Sequence, residues 1–470
     1  MKNNLNVFDG ENSVLDYLNP DNNPHIPLVE LPDSLNPFVN QKVRIFAKMM
    51  NTLPLANVKS LPAYNMLTEA QQRGELQNID TLIENSSGNT VFSLAIIGKL
   101  LGINSTKAVV SNEVSTGKLQ MLRVFGTEII VNTEPICPDP SDKTSGIYKA
   151  KVWAQENKWL NVGQYDNSDN PQAHEKWTGK QIWEQTQGDI SVFCCGLGTT
   201  GTMVGAGRYL KKHNQNIQNV GVARLANNPV PGPRTKNLLR EIAFDWKGVV
   251  DSVQEIGTID SFKLSLDLCR NGLVVGPSSG FILKGLLDYI QGHSESGTLD
   301  TLRNKHGEIV CVFICCDSPF PYINEYFEYL DDSHFPVIEN EELLNNQLDV
   351  IKKTEFSDVS EFEIKVEDTL EEIQNEKVIV LDIRKNSDFN DFHIFESQNV
   401  EYNDLEKWIS ESLDDIKDKK VIVVCYRGNS SKLATSALRN LGIDAFSMSG
   451  GMLEWSKRDF PRWKPDSCKI

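Results

Sequence analysis

Short runs of residues that are apolar on both faces recur along the chain between longer amphipathic stretches. They lie at residues 43–47, 107–110, 128–131, 190–194, 309–314, 377–382 and 420–425. A strand that is apolar on both faces must be covered on both sides, which is typical of parallel sheets flanked by helices. The pattern therefore predicts an α/β fold with parallel-rich sheets.

The length of the chain, 470 residues, predicts more than one domain. From about residue 326 to residue 375 the composition shifts to Asp, Glu and Asn, which indicates a solvated connector. We therefore expect two α/β domains and two irregular segments. Their predicted bounds are 1–40 for an irregular N-terminal lead-in, 41–330 for a large domain, 331–357 for an acidic linker and 358–465 for a small domain.

The charge of the chain narrows the class of partner. Lys and Arg number 47 and Asp and Glu 64, giving a formal net charge of −17. Because phosphate backbones and anionic lipids need clustered Lys and Arg, nucleic acid and membrane surfaces are not expected partners. No apolar run reaches the roughly 18–20 residues of a membrane span, and no signal-peptide core follows Met1. We expect a cytoplasmic protein that acts on small molecules.

The cysteines and histidines do not predict a metal site or a disulfide framework. The nine Cys have no CxxC spacing, and the seven His are scattered singly. His174-Glu175 begins like a metalloprotease helix, but no second His follows at the required spacing. No metal ligand is predicted.

A Gly/Thr-rich turn at residues 196–202 lies between a predicted strand and a predicted helix. Its glycines allow close approach of an anion, and a helix N-terminus adds a favourable dipole. The turn formally matches GxGxxG, but residues 206–240 contain no Asp or Glu to hold a ribose. The turn is therefore not expected to bind a dinucleotide. Two interpretations remain: it binds a single phosphate group, or it is a structural turn without a ligand.

Three other segments favour the phosphate interpretation. Residues 57–60 place a lysine just before a helix, residues 84–90 form a polar strand-to-helix turn, and residues 276–280 form another tight turn with two serines. Together they supply an amine, a carboxylate-binding turn and a small hydroxyl. With a phosphate cradle, these are the parts of a pyridoxal 5′-phosphate (PLP) site.

Residues 25–325 resemble the fold-type II PLP enzymes, and specifically cysteine synthase (O-acetylserine sulfhydrylase) with its cystathionine β-synthase relatives. The resemblance is co-linear over about 300 residues. It is carried by residues 26–29, 57–60, 86–90, 170–176, 178–179, 182–184, 196–205 and 276–280.

The resemblance implies a role for each predicted site residue. Lys59 is implied to bind PLP covalently and to take the substrate α-proton, and Asn89 to contact the 3′-oxygen of PLP. Ser278 is implied to face the pyridine nitrogen, where a neutral hydroxyl favours β-elimination over racemisation or transamination. The phosphate is assigned to Gly198, Thr199, Thr200, Gly201 and Thr202. The substrate carboxylate is assigned to Ser86, Ser87 and Thr90, with Gln164 either on the substrate loop or at a strand end.

The chain also departs from the family pattern. Residues 53–57, Leu-Pro-Leu-Ala-Asn, replace the usual Asn-Pro-Gly-Gly-Ser, and Val91 and Thr200 replace glycines. These changes leave the cofactor in place but leave the amino-acid donor open between O-acetylserine, O-phosphoserine and cysteine.

A second chemical site is predicted at residues 425–431, Cys-Tyr-Arg-Gly-Asn-Ser-Ser, between an apolar strand and a helix. Backbone N–H groups that converge on Cys425 stabilise a thiolate or a persulfide, and Arg427 attracts an anionic sulfur donor. Inert packing of Cys425 is the alternative.

The last 110 or so residues resemble a single rhodanese domain of the thiosulfate sulfurtransferase type. The resemblance is carried by residues 381–384, 389, 393–394, 399–400, 425–431 and 450–455. It implies that Cys425 carries sulfane sulfur and that Asp382, Arg384 and His393 support the fold.

The two resemblances together predict a bifunctional sulfur enzyme, a homodimer through its PLP domain. Cys425 would supply sulfur, and the Lys59 site would join it to a serine-derived amino acid to make cysteine. Three alternatives stay open: breakdown of cysteine with transfer of sulfur to Cys425, a non-catalytic rhodanese module, and β-replacement with an amine.

Overall fold

A computed structural model of the protein describes residues 6–112, 114–133, 139, 141–340, 360–375 and 378–464. The chain divides into two compact units, Met1–Pro336 and Val337–Ile470. Most of the predicted acidic linker, Lys377, Cys137 and Cys468 lie outside the described residues. Both units are mixed α/β with parallel-rich sheets, which confirms the predicted fold class.

The first unit alternates helices and strands along the chain. Its strands are β1 (Leu28–Glu30), β2 (Val43–Met49), β3 (Thr81–Asn85), β4 (Ser105–Ser111), β5 (Glu128–Asn132), β6 (Val192–Gly196), β7 (Gln218–Arg224), β8 (Ser252–Ile256) and β9 (Ile309–Cys315). Its helices are α1 (Ser13–Leu18), α2 (Ser60–Gln72), α3 (Asn89–Leu100), α4 (Thr116–Val124), α5 (Gly146–Asn157), α6 (Asp169–Ala173), α7 (Lys180–Gln185), α8 (Gly201–His213), α9 (Thr258–Arg270), α10 (Pro277–Glu295) and α11 (Ile323–Tyr329). A π-helical turn, His174–Gly179, joins α6 to α7.

The strands of the first unit form two sheets. The larger has the order β1-β2-β9-β6-β7-β8 and the smaller the order β3-β4-β5. All pairs are parallel except β1 with β2. Every residue of β9 is buried, as a central parallel strand covered on both faces requires. Because parallel strands end at the same edge, the segments that follow β2, β6 and β9 are brought together.

The N-terminal stretch, predicted to be irregular, contains α1 and β1 and is held to the large sheet by a buried lysine. Lys48, on β2, has no exposed surface. Its Nζ donates to the Ile26 carbonyl at 2.8 Å, to Gln181 Oε1 at 2.9 Å and to Gln185 Oε1 at 2.7 Å. Burial lowers the pKa of Lys48 to about 7, because the charged ammonium loses its hydration.

The second unit is a small parallel sheet with helices. Its strands are β10 (Glu363–Ile364), β11 (Val378–Asp382), β12 (Gln398–Asn399), β13 (Lys420–Val424) and β14 (Ala445–Met448), in the order β10-β14-β13-β11-β12. Its helices are α12 (Val366–Asn375), α13 (Asn386–Asp391), α14 (Leu405–Ile416), α15 (Ser430–Asn440) and α16 (Gly451–Lys457). Cys425 follows the central strand β13 directly, at the carboxyl edge of the sheet.

Within the described residues, no helix is both long and apolar enough to cross a membrane. Over the same residues, no cluster of three His, Cys, Asp or Glu side chains could hold a metal ion.

Candidate active sites

Lys59 lies at the N-cap position of α2, fixed to the end of β9 by its neighbours in sequence. Its own backbone N–H donates to Asn57 Oδ1 at 2.9 Å, and the Val58 N–H donates to the Cys316 carbonyl at 2.7 Å. Asn57 forms an isolated antiparallel bridge with Asp317. Burial lowers the pKa of Lys59, which favours the neutral amine that nucleophilic chemistry needs.

The glycine turn links β6 to α8 with two close backbone approaches. A Cβ at Gly198 would lie 2.8 Å from the Gly232 carbonyl oxygen, and one at Gly201 would lie 2.2 Å from Asn170 Oδ1. Thr200 adopts the left-handed conformation, with φ 66°, and its buried Oγ1 has no partner among the described residues. A helix N-terminus preceded by such a turn fits a phosphate group, as the PLP interpretation requires.

A buried histidine that the sequence pattern did not assign to this site orients one hydroxyl of the turn. His174 Nε2 lies 3.1 Å from Thr202 Oγ1, and Nδ1 lies 2.9 Å from Thr178 Oγ1. Burial lowers the pKa of His174 to about 3, so the ring is neutral and carries one donor and one acceptor. The proton on the Thr202 hydroxyl is therefore directed by the tautomer of His174.

Asn89, the first residue of α3, is held by a carboxylate that sequence reasoning missed. Its Nδ2 donates to Asp317 Oδ2 at 2.6 Å, and the Tyr322 hydroxyl donates to the same oxygen at 2.7 Å. Burial raises the pKa of Asp317. Asp317 directly follows an apolar run at residues 309–316, and this position was the available signal.

The predicted substrate turn is tied to Gln164. Thr90 Oγ1 donates to Gln164 Oε1 at 2.8 Å, and Gln164 Nε2 donates to the Asn85 carbonyl at 2.9 Å. Glu84, buried on β3, accepts from the backbone N–H of Gln164 at 3.2 Å. Gln164 therefore lies on a loop at this turn and not within a strand.

The remaining predicted side chains lie around the same region. Ser86 and Ser87 are half-buried on the turn before α3. Ser278 is the second residue of α10 and faces the Cys316 thiol, whose pKa burial raises to about 12. Residues 276–280 thus form the start of a helix as well as a turn.

Two connections bring the predicted residues together. The end of β9, at Cys316 and Asp317, contacts the segments that carry Lys59, Asn89 and Ser278. Asn170 links the substrate loop to the glycine turn, since its Nδ2 lies 2.7 Å from the Gln164 carbonyl and 3.4 Å from Thr199 Oγ1.

The second candidate site surrounds the thiol of Cys425. Its Sγ accepts from the Gly428 N–H at 3.1 Å and the Ser431 N–H at 3.4 Å, and the Ser431 hydroxyl lies 3.4 Å away. One backbone donor lies on the turn and the other at the start of α15, so the sulfur lies at a helix N-terminus. Arg427 is exposed on the same turn.

A buried ion pair supports the strand beside Cys425. The Arg384 guanidinium donates to both carboxylate oxygens of Asp382, at 2.7–3.1 Å, and to the Phe392 carbonyl at 2.7 Å. The Ile383 N–H donates to the Val424 carbonyl at 2.9 Å. Both charged side chains thus have partners within the fold.

Comparison with known proteins identifies a family for each of the two units. Residues 23–299 match the family described as pyridoxal-phosphate dependent enzyme, and residues 365–458 match the rhodanese-like domain. The chain is 31% identical to cysteine synthase B of Salmonella typhimurium, over 62% of this chain and 89% of that protein. It is 30% identical to cysteine synthase B of Escherichia coli, over 60% of this chain and 86% of that protein.

A solved structure shares the fold of the first unit. An O-acetylserine dependent cystathionine β-synthase from Helicobacter pylori aligns with a TM-score of 0.54 at 24% identity. The alignment covers 65% of this chain and 96% of that protein.

These findings place the chain in the pyridoxal-phosphate dependent enzyme family. Its first unit is a cysteine synthase-like enzyme that uses PLP, and a rhodanese-like domain follows it in the same chain.

Proposed function

We propose that the first unit replaces the β-substituent of a serine-derived amino acid, such as O-acetylserine, with sulfide to make cysteine. The observation that supports this most is the convergence of Lys59, Asn89 and Ser278 on the end of β9. An amine, an amide and a neutral hydroxyl are the groups that β-replacement on PLP requires.

In this proposal, the residues of the site share the tasks of cofactor binding, substrate binding and proton transfer. Lys59 holds the cofactor and then moves the proton of the substrate α-carbon, while Thr90 and Gln164 bind the substrate carboxylate with Ser86 and Ser87. PLP, when bound, stabilises the negative charge that develops at the α-carbon. Acetate leaves from the β-carbon, hydrosulfide adds there, and the proton returns to the α-carbon.

The rhodanese-like domain is proposed to supply the sulfur. The Cys425 thiolate attacks the outer sulfur of thiosulfate, forms a persulfide and releases sulfite. Two equivalents of a small thiol then release sulfide and are oxidised to a disulfide. Because both sites belong to one polypeptide, the Cys425 persulfide that releases sulfide stays linked to the PLP-binding unit, which raises its effective concentration there.

We further propose a cytoplasmic homodimer, with the PLP-binding unit forming the contact between subunits. The alternative direction is breakdown of cystine by β-elimination, which would use the same residues. It would release pyruvate, ammonia and the persulfide of cysteine, whose outer sulfur Cys425 takes up with release of cysteine. Breakdown of cysteine itself would give pyruvate, ammonia and free sulfide.

The experiment that tests the proposal measures cysteine formed from O-acetylserine by mass spectrometry. Sulfur is fed either as sulfide or as thiosulfate with a small thiol. Lys59→Ala should abolish both reactions, whereas Cys425→Ser should keep the reaction fed by sulfide and lose the one fed by thiosulfate. If Cys425→Ser retains both, the rhodanese-like domain does not supply the sulfur. If cystine gives pyruvate and ammonia while O-acetylserine gives no cysteine, the direction is the reverse.

A further inference from the structure

Glu84 is a buried carboxylate beneath the substrate loop, and it has no task in the proposed function. It is the fourth residue of β3 and is only 2% exposed. The substrate loop, residues 161–167, lies against this strand, since Asn161 Nδ2 donates to the Ile83 carbonyl at 2.7 Å. A carboxylate at this depth is costly unless the fold supplies hydrogen-bond donors for it.

The substrate loop supplies most of those donors. Glu84 Oε2 accepts from the Gly163 N–H at 3.0 Å and from the Gln164 N–H at 3.2 Å. Asn161 Nδ2 lies 3.4 Å from the same oxygen, and Oε1 accepts from the Asn85 N–H at 2.9 Å. All four partners are N–H donors, which suit an ionised carboxylate because it can only accept. A proton on either oxygen would face a donor instead of an acceptor.

Glu84 is held by these hydrogen bonds and not by a cation. Burial raises the pKa of Glu84 to about 7, the backbone hydrogen bonds oppose this rise, and the negative charge of Asp166 adds to it. Asp166 forms its own ion pair with Lys151. The charged residues of the elements that pack on β3 are Lys99 on α3, Lys107 on β4, and Lys149, Lys151 and Glu156 on α5. Among the residues that the structure describes, none forms an ion pair with Glu84, so its charge depends on the N–H donors.

The same hydrogen bonds fix both ends of a contact at the predicted carboxylate turn. Gln164 Oε1 accepts from Thr90 Oγ1 at 2.8 Å, and Gln164 Nε2 donates to the Asn85 carbonyl at 2.9 Å. Glu84 binds the backbone N–H groups of Gln164 and of Asn85. The position of the Gln164 amide relative to Thr90 therefore depends on Glu84.

We propose that Glu84 is a positioning residue, whose carboxylate holds the backbone of the substrate loop so that Gln164 and Thr90 can bind the carboxylate of the substrate. The part that concerns the substrate rests on the proposed function and deepens it. Protonation of Glu84 replaces an acceptor by a donor that faces N–H groups, so it should release the loop.

The first experiment measures the hydrogen bonds themselves and needs no substrate. Hydrogen–deuterium exchange of residues 161–167 is followed by mass spectrometry in the PLP-loaded full chain between pH 6 and 8.5, with the rates corrected for the pH dependence of exchange in free peptides. We expect protection of this segment to fall at least about tenfold from pH 8 to pH 6, the effect of losing a hydrogen bond to a charged group. The midpoint should lie near pH 7.

Variants of Glu84 separate its charge from its shape. Glu84→Gln has almost the same shape as the protonated carboxyl group, so protection should be low and independent of pH. Glu84→Asp keeps the charge on a shorter side chain and should give intermediate protection that still falls at low pH. Glu156→Gln, on an exposed glutamate of α5, should behave as the starting protein.

The second experiment measures the consequence for the substrate at pH 8, with O-acetylserine and sulfide. Because the loop binds a part of the substrate that does not react, we expect Glu84→Gln to raise KM for O-acetylserine at least about tenfold and to change kcat less than about twofold. Glu84→Asp should restore part of the lost affinity, and Glu156→Gln should leave both constants unchanged.

Other results overturn the proposal. If protection of the loop is the same at pH 6 and pH 8, or if Glu84→Gln keeps it, the carboxylate does not hold the loop. If protection is lost equally in β3 and α5, Glu84 serves the fold as a whole. An unchanged KM in Glu84→Gln means that the loop contact has no consequence for the substrate. If the starting protein makes no product from O-acetylserine, the proposed function fails, and the exchange experiment alone decides whether Glu84 holds the loop.

Discussion

The side-chain amide of Asn89 and the carboxylate of Asp317 form a partly buried hydrogen bond, with Nδ2 and Oδ2 2.6 Å apart. The Tyr322 hydroxyl donates to the same carboxylate oxygen. One N–H of the Asn89 amide is thereby taken, and the other remains for an acceptor such as the 3′-oxygen of PLP. Asp317 therefore fixes the orientation of the Asn89 amide, which we propose contacts the cofactor.

We expect Asp317→Asn to raise the dissociation constant for PLP about tenfold, since a charge-assisted hydrogen bond to Asn89 is lost. The constant is measured by titrating the apoprotein with PLP and following its fluorescence. Tyr322→Phe is the matched control, because it removes the other hydrogen bond to Asp317 and leaves Asn89 in place. An unchanged constant in Asp317→Asn would contradict the orienting role.

A methyl group at Gly201 should disrupt the glycine turn. Because its Cβ would lie 2.2 Å from Asn170 Oδ1, we expect Gly201→Ala to lower the free energy of unfolding of the first unit by on the order of 2 kcal/mol. A Cβ added at Gly292, inside α10, would have no atom within 4 Å. Gly292→Ala should therefore raise the free energy of unfolding by about 0.5–1 kcal/mol. Unfolding in guanidinium chloride measures the free energy of unfolding of both variants. If the two substitutions change it equally, the chain around Gly201 can move to accommodate a methyl group without cost.

The stability of the first unit should rise with pH above neutrality. The pKa of Lys48 is about 7 in the folded protein against an ordinary 10.5, so the unfolded chain binds the proton more tightly. Below pH 7 Lys48 is protonated in both the folded and the unfolded protein, so its burial lowers the free energy of unfolding by a constant amount. Between about pH 7 and 10.5 only the unfolded protein keeps this proton, and the free energy of unfolding rises by at most about 1.4 kcal/mol per pH unit. We expect Lys48→Met to abolish this rise, which is measured as the free energy of unfolding in urea at pH 7, 8 and 9. Lys212→Met, on an exposed lysine of α8, should retain the rise of the free energy of unfolding with pH. If Lys48→Met also retains this rise, another titratable group causes it.

Arg427 should assist thiosulfate rather than the thiol itself. Because it is exposed beside Cys425, we expect Arg427→Gln to lower kcat/KM for thiosulfate about fivefold, chiefly through KM, in line with the modest strength of exposed charge pairs. Added salt should narrow the difference. Release of sulfite measures the rate of the reaction. Arg458→Gln, on the exposed arginine that caps the C-terminus of α16, serves as the control. If Arg427→Gln lowers kcat alone and leaves KM for thiosulfate unchanged, Arg427 does not act by attracting thiosulfate.

Local patterns in the sequence predicted the elements of the fold well. Buried runs marked β2, β6, β9 and β13, and the position of Lys59 before α2 followed from the polar residues around it. These features depend on residues that are neighbours in the chain, so a pattern can reveal them.

The missed residues depend on contacts between distant segments. His174 meets Thr202, and Asp317 meets Asn89, only after the parallel crossovers are complete. The position of Asp317 after a buried run was a local signal, whereas the residues around His174 gave no indication of its contact with the glycine turn. Both hydrogen bonds are properties of the folded protein alone.

The pairing of β2 with β9 also determines when the first unit can fold during synthesis. Val43 pairs with Ile309, and Met49 pairs with Cys315, so the central strand arrives only after almost the whole unit has left the ribosome. Until then the facing edges of β2 and β6 are unpaired, and unpaired apolar strand edges promote aggregation. Translation of the rhodanese-like domain supplies additional time, because the finished first unit is still tethered to the ribosome while that domain is made.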